Sequence, residues 1–241
     1  MEPDLFYTFA SNFSLKTFEG VEGSADFYGL DFRSHSQDPA IRKVTEFSAA
    51  AWFDGPATLN GERGLLVAGD SEKGKIHIID IHNLTLTIVY SNPLLGRTPS
   101  LGVCIDGIKV HADGCLYFTN SAQMYFSQFP MYHDTGLVRG EIEVLFNLTT
   151  LNLSTPLDDF IFHPNGSVYL TVSTLALAIV HPPDYSIPEM VLPVNGPTAM
   201  RLKKTGHGDL KLYSASTGND FAFPSDNFVN DAVLIEINVP V

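Results

Sequence analysis

Three aspartates recur at one spacing, and their carboxylates are the groups in this sequence best suited to chemistry. Asp54, Asp106 and Asp158 lie 52 residues apart, each at the start of a similar stretch of sequence. If each stretch is one repeated unit, the three carboxylates converge, and converging oxygen ligands suit Ca²⁺, Mg²⁺ or Mn²⁺. A buried carboxyl group can also act directly as a general acid or base. A third interpretation is a turn, because an aspartate before glycine can bond its own backbone without any ligand.

An arginine and two aromatic pairs lie near these aspartates in the chain. Arg97 is in the segment that leads to Asp106, and it is a candidate anchor for an anion or a carbonyl group, although a solvent-facing arginine needs no such role. We predict that four aromatic side chains form the wall of an apolar substrate pocket, the alternative being ordinary packing within the fold. They are Trp52, Phe53, Tyr125 and Phe126.

The aspartates belong to an internal repeat that predicts a β-propeller. Residues 53–71, 105–121 and 157–173 are similar to one another, and residues 195–217 are a looser fourth copy. Each copy contains a strand pattern, a tight turn and a second strand rich in Tyr, Val, Leu and Thr, and two further strand patterns follow. Four antiparallel strands in about 40 to 50 residues are typical of a propeller blade, whereas a β-sandwich has no reason to repeat at this spacing.

The blade pattern covers the whole chain, so we predict one all-β domain. The blade segments are approximately 1–50, 51–95, 104–148, 156–194 and 195–241. Residues 5–11 match the second strand of a blade, and the last blade ends after its third strand pattern. We therefore predict a six-bladed propeller of four-stranded antiparallel blades, with its N-terminal part missing from this chain and about five blades visible.

Composition excludes several classes of partner. The formal net charge is −13, from 14 Lys and Arg against 27 Asp and Glu, and no basic run is present that could follow a nucleic-acid backbone. No apolar run approaches the roughly 20 residues that span a bilayer, and the first residues do not resemble a signal peptide. We expect a monomer or dimer that binds a small, apolar molecule.

Sequons and cysteines bear on where the protein resides. Five Asn-X-Ser/Thr sequons predict N-glycosylation and favour a secreted or endomembrane protein whose leader is not part of this chain, the alternative being chance occurrence in a cytoplasmic protein. The sequons are at Asn12, Asn83, Asn147, Asn152 and Asn165. Cys104 and Cys115 either form a disulfide, which secretion would permit, or remain two buried thiols.

The second repeat carries a resemblance to a known family. Residues 106–121, DGIKVHADGCLYFTNS, resemble a signature of the gluconolactonase, regucalcin and luciferin-regenerating enzyme family of six-bladed propellers, and 158–171 and 196–199 resemble later blades. The resemblance implies a divalent cation at the channel mouth, held by Glu, Asn and Asp side chains. Asp158 matches the Asp ligand, Asp106 matches one Asn, and Asp54 lies at or next to the other. The Glu position falls outside this chain.

The resemblance implies two enzymatic hypotheses. It is nearest to a fungal branch that includes hetero-Diels–Alder cyclases, which join a tropolone quinone methide to a humulene-type terpene. We favour this cofactor-free reaction because two Asn ligands are replaced by Asp, and Arg97 or a protonated aspartate would then polarise the heterodiene. The alternative is a lactone hydrolase that uses Ca²⁺, Mg²⁺, Mn²⁺ or Zn²⁺, with Asp158 or Asp106 as base. A propeller that binds a ligand without catalysis is the third hypothesis.

Overall fold

Antiparallel sheets that follow one another along the chain form a propeller in the computed structural model. It describes residues 4–14, 19–33, 38–98, 102–173, 175–186, 188–207, 209–217 and 233–239. The first blade and a short hairpin inserted in it comprise β1 (Leu5–Ala10), β2 (Phe13–Ser14), β3 (Glu19–Gly20), β4 (Ala25–Asp31) and β5 (Ala40–Phe47). Strands β1, β4 and β5 form the blade, in that order.

Three blades with four strands each follow. The second blade comprises β6 (Phe53–Asn60), β7 (Leu65–Asp70), β8 (Lys75–Asp80) and β9 (Thr85–Ser91). The third comprises β10 (Ile105–Val110), β11 (Cys115–Asn120), β12 (Tyr125–Pro130) and β13 (Glu143–Asn147). The fourth comprises β14 (Leu157–Phe162), β15 (Val168–Val172), β16 (Ala176–Val180) and β17 (Glu189–Pro193). The fifth blade has three strands, β18 (Pro197–Lys204), β19 (Leu210–Ser216) and β20 (Val233–Val239).

A glycine in the left-handed region ends the first turn of each complete blade. Gly64, Gly114 and Gly166 have φ values of 65°, 89° and 90°, which side chains with a Cβ rarely adopt. They lie at equivalent positions between the first and second strands of their blades. The repeated glycines in the sequence are therefore the residues that turn the chain back at the same place in each unit.

Apolar side chains packed between neighbouring blades form the core. Four clusters of buried side chains lie at the four junctions between successive blades. At the junction of the second and third blades, Ile76 of β8 packs in one cluster with Ile105 and Ile108 of β10. Because each blade buries an apolar face against the next, burial sets the order of the blades around the channel.

The predicted all-β propeller is confirmed, with five blades among the described residues and no sixth blade in that part of the chain. In the complete blades, the second strand contacts the first strand of the next blade, as β7 contacts β10 and β11 contacts β14. Strand β1 contacts β6, the first strand of the next blade, in the same way. It therefore occupies the second-strand position, as predicted. No helix within the described ranges has the length and apolar character needed to cross a bilayer.

The disulfide prediction is wrong, because both cysteines are free thiols. Strands β10 and β11 are antiparallel, with Ile105 opposite Asn120. Cys104 precedes β10 at one end of this pair, whereas Cys115 begins β11 at the other end. Six residues of strand span about 20 Å, and a disulfide requires Cα atoms within about 7 Å of each other.

Candidate functional site

The innermost strands of four blades start at the same register position. Strands β6, β10, β14 and β18 each open with a residue paired to the end of the second strand, followed by a register shift. The residue after this opening pair is Asp54, Asp106, Asp158 or Thr198. The repeat therefore places three carboxyl groups and one hydroxyl at the same mouth of the channel, and the sequence analysis had not singled out Thr198.

Two glycines allow these inner strands to approach each other closely. A Cβ on Gly55 would overlap the carbonyl oxygen of Asp106 and would lie 2.7 Å from the nitrogen of Ile108. A Cβ on Gly107 would lie 2.9 Å from the carbonyl oxygen of Asp158. Since glycine has no Cβ, adjacent inner strands meet backbone against backbone, and the carboxyl groups of the preceding aspartates come together.

We call Asp54, Asp106 and Asp158 the carboxyl cluster. The side chains of Asp106 and Asp158 interact, and hydrogen bonding between them raises the pKa of Asp158 and lowers that of Asp106. The Ser121 hydroxyl donates to Asp106 Oδ2 at 2.5 Å. The backbone nitrogen of Gly55 donates to Asp54 Oδ1 at 2.8 Å. Asp106 therefore interacts with both Ser121 and Asp158.

Burial is the main cause of the raised pKa values in the carboxyl cluster. It raises the pKa of Asp106 to about 6, against the opposing effect of the hydrogen bonds from Ser121 and Asp158. It also holds the pKa of Asp158 well above its usual range, and the negative charges of Asp106 and Asp54 raise it further. The pKa of Asp54 is raised by burial and then by the charge of Asp106. Burial therefore disfavours the charged form of all three carboxyl groups.

A lysine beside the cluster moderates its negative charge. Lys109 Nζ lies 2.6 Å from Asp159 Oδ1, and Asp159 Oδ2 accepts a hydrogen bond from the backbone nitrogen of Met200 at 2.9 Å. The charge of Lys109 lowers the pKa values of Asp54 and Asp106. Asp159 replaces the glycine that follows the aspartate in the two earlier repeats, and this break in the Asp-Gly pattern was the sequence signal that could have identified it.

The carboxyl cluster does not fit the predicted cation site. Within the described ranges, no three Asp, Glu, His or Cys side chains are placed so that they could hold one metal ion. The geometry therefore does not support the ligand roles that were predicted for Asp54, Asp106 and Asp158.

Arg97 lies apart from the carboxyl cluster in an ion pair. Its Nη1 atom is 2.8 Å from Oε1 of Glu72, whose other oxygen accepts a hydrogen bond from the backbone nitrogen of Gly20 at 3.1 Å. The side chain of Arg97 is exposed, and that of Glu72 is largely buried. The pair ties the loop before the third blade to the second blade, and the predicted role of Arg97 as an anion or carbonyl anchor stays a prediction.

The predicted aromatic wall needs correction. Phe53, Tyr125 and Phe126 are only 5%, 2% and 0% exposed and lie in the clusters between blades, so they have no surface left for a ligand. Trp52 is half-buried, with its ring centroid 4.1 Å from that of Phe13. Packing between blades, the alternative interpretation, accounts for the three buried rings.

The sequons are mostly accessible. Asn12, Asn83, Asn152 and Asn165 are exposed. Asn147 is half-buried, and its amide nitrogen donates to the carbonyl oxygen of Gln123 at 3.3 Å. Glycosylation at the five sites stays a prediction.

Comparison with known proteins shows the fold. No protein-family model matches the sequence, and no curated protein sequence matches it. A luciferin-regenerating enzyme has 11% identity and a TM-score of 0.69 over 100% of this chain and 75% of its own. A regucalcin from Agrobacterium tumefaciens, described as calcium-binding, has 13% identity and a TM-score of 0.61 over 94% and 74%. A chain of a nidogen/laminin complex has 13% identity and a TM-score of 0.59 over 87% and 67%. These values show a shared propeller fold, which hosts proteins of different function.

Proposed function

We propose that this chain hydrolyses a small lactone or ester at the channel mouth, with Asp106 as general base and Asp158 as general acid. The observation that carries the proposal is that the buried Asp106 and the half-buried Asp158 occupy equivalent positions on adjacent inner strands, where each affects the pKa of the other. Neighbouring carboxyl groups whose surroundings push their pKa values apart can divide the roles of base and acid between them. The family resemblance of residues 106–121 supports the same class of substrate.

The reaction balances without a further reactant. The Asp106 carboxylate removes a proton from a water molecule, the oxygen of which attacks the carbonyl carbon, while Asp158 protonates the carbonyl oxygen. The tetrahedral intermediate then expels the ester oxygen, which takes the proton from Asp106, and the new acid returns its proton to Asp158. The products are a carboxylic acid and an alcohol, joined in one molecule when the substrate is a lactone.

Two neighbouring charges keep the pair in the required protonation states. The negative charge of Asp54 raises the pKa of Asp158 and so favours the acid form. The positive charge of Lys109 lowers the pKa of Asp106 and so favours the base form. Both effects strengthen in a buried site, where water screens charges poorly.

Hydrolysis fits the site better than the cyclisation hypothesis. A protonated Asp158 could be the hydrogen-bond donor that cyclisation needs. However, the core buries three of the residues that were predicted to line an apolar cleft, namely Phe53, Tyr125 and Phe126. Hydrolysis needs only water and an ester at the two carboxyl groups. Cyclisation and simple ligand binding therefore become outcomes of the test.

The test measures initial rates on a panel of γ- and δ-lactones as a function of pH. We expect hydrolysis to rise through about pH 6 as Asp106 ionises and to fall again at higher pH as Asp158, whose pKa is held well above its usual range, loses its proton. Asp106→Asn and Asp158→Asn should each reduce kcat by about 100-fold or more. Asp209→Asn, which changes an exposed aspartate at the start of the β19 hairpin strand, is the matched control and should leave the rate unchanged.

A metal-dependent activity would contradict this proposal. The rate should not change in EDTA, whereas loss of activity in EDTA and recovery with Ca²⁺, Mg²⁺, Mn²⁺ or Zn²⁺ would establish a metal-dependent lactonase instead. Absence of hydrolysis on the whole panel, together with product from a quinone-methide precursor and humulene, would establish the cyclase. Absence of both reactions would leave a propeller that binds a ligand.

A further inference from the structure

A cavity of about 710 Å³ lies along the channel beyond the carboxyl cluster. Strands β1, β6, β10, β14 and β18 all contribute to its lining. Most of the lining is apolar, and its main side chains are Leu5, Phe6, Tyr7, Val110, Ile161 and Met200. The volume is in the range of cavities that bind small organic molecules.

The charged side chains that line this cavity are positive, whereas the net charge of the protein is negative. The chain has a net charge of −13, yet the lining includes Lys109 and Arg201 and, among the described residues, no carboxylate. Lys109 forms an ion pair with Asp159, in which Nζ lies 2.6 Å from Oδ1. Arg201 is exposed, and its side chain forms no hydrogen bond or ion pair with any described residue. A permanently charged guanidinium group is thus left available at an apolar surface.

The cavity is close to the carboxyl cluster. Pro56 lines it two residues after Asp54, and Lys109 lines it three residues after Asp106. At about 3.3 Å per residue of strand, these positions lie about 7 to 10 Å from the cluster along the channel. One small molecule can therefore lie in the cavity and also reach the two carboxyl groups.

We propose that the cavity binds a small molecule with an apolar body and one anionic group, and that Arg201 pairs with the anion. The apolar walls contribute affinity through burial, and the guanidinium selects carboxylate, sulfonate or phosphate groups through charge-assisted hydrogen bonds. The additional inference that the occupant is the substrate, an ester with an anionic substituent, rests on the proposed function. Binding itself does not depend on hydrolysis.

The test compares two dyes of similar shape. The probes are 8-anilinonaphthalene-1-sulfonate, which has an apolar body and an anionic group, and N-phenyl-1-naphthylamine, which lacks the charge. The wild-type protein should bind one equivalent of the sulfonate, as measured by fluorescence titration. Arg201→Gln should weaken binding of the sulfonate about ten-fold or more, because a charge-assisted hydrogen bond is lost, and should change binding of the neutral dye by less than about two-fold. Arg201→Lys should restore part of the affinity for the sulfonate.

The matched control is Arg42→Gln, which removes an exposed arginine from the outer strand β5 and should change neither affinity. Equal binding of the sulfonate by the wild type and Arg201→Gln would overturn the proposal, as would equal losses for both dyes. Asp106→Asn separates this proposal from the proposed function. It should reduce hydrolysis by about 100-fold or more and retain binding of the sulfonate, whereas retained hydrolysis without binding of the sulfonate would refute only the anion site.

Discussion

Replacing Asp106 with asparagine should stabilise the protein at neutral pH, although it removes the proposed base. Asp106 is 9% exposed, and burial raises its pKa from 3.8 to about 6. A shift of about two pKa units corresponds to about 3 kcal/mol between the two protonation states. Because the folded pKa lies above the unfolded one, the carboxyl group favours the folded state at low pH, and this contribution is lost as pH rises through about 6.

Asparagine keeps the contacts of Asp106 without its charge. The side-chain oxygen of asparagine can still accept a hydrogen bond from Ser121 or Asp158, and it does not ionise at any of these pH values. The free energy of unfolding of Asp106→Asn should therefore exceed that of the wild type by little at pH 4 and by about 3 kcal/mol at pH 8. For a chain of this size, the difference at pH 8 corresponds to an increase in Tm of about 6 to 12 °C.

The assay is urea denaturation at several pH values, followed by the fluorescence of Trp52, the single tryptophan. Asp209→Asn, which changes an exposed aspartate outside the carboxyl cluster, is again the control. A constant difference between Asp106→Asn and the wild type from pH 4 to pH 8 would refute the reasoning. Destabilisation of the variant at pH 8 would refute it equally, since it would mean that the ionised form of Asp106 favours folding.

Two further predictions concern packing. Gly55→Ala should lower the free energy of unfolding by more than about 2 kcal/mol in urea denaturation, because its Cβ would overlap the backbone of Asp106 and its φ of 55° disfavours alanine. Gly206→Ala has no atom within 4 Å of the added Cβ and should change stability by less than about 0.5 kcal/mol, and similar losses in both variants would contradict the close-approach argument. His77 is fully buried, and neither of its ring nitrogens is hydrogen-bonded to a described residue. Burial also lowers its pKa to about 4. Because a buried polar ring without hydrogen bonds is unfavourable, His77→Leu should raise the free energy of unfolding by about 1 kcal/mol at pH 7. The difference in free energy of unfolding between His77→Leu and the wild type should increase as pH falls from 6.5 towards 4, because protonation of His77 then favours the unfolded wild type. A difference that shrinks over this range in urea denaturation would refute the prediction.

The errors of the sequence analysis share a physical cause. Phe53, Tyr125 and Phe126 lie near the aspartates in the chain, but alternate residues of a strand point to opposite faces, and these rings point into the junctions between blades. Cys104 and Cys115 are separated by only ten residues, yet those residues form an extended strand and a turn that place the thiols at opposite ends of a blade. Closeness in sequence therefore did not imply closeness in space.

The amino-acid sequence was sufficient to predict the repeated unit and the location of the site. The strand patterns, the turn glycines and the 52-residue spacing are local properties, and a repeated local pattern folds into the same unit each time. This is why the propeller and the position of Asp54, Asp106 and Asp158 at the channel mouth could be predicted. The structure was needed to show that Asp106 and Asp158 interact, that Lys109 pairs with Asp159, and that no three acidic side chains among the described residues are placed so that they could hold one metal ion. Those features depend on distances of a few ångströms between blades, which packing sets and sequence spacing does not encode.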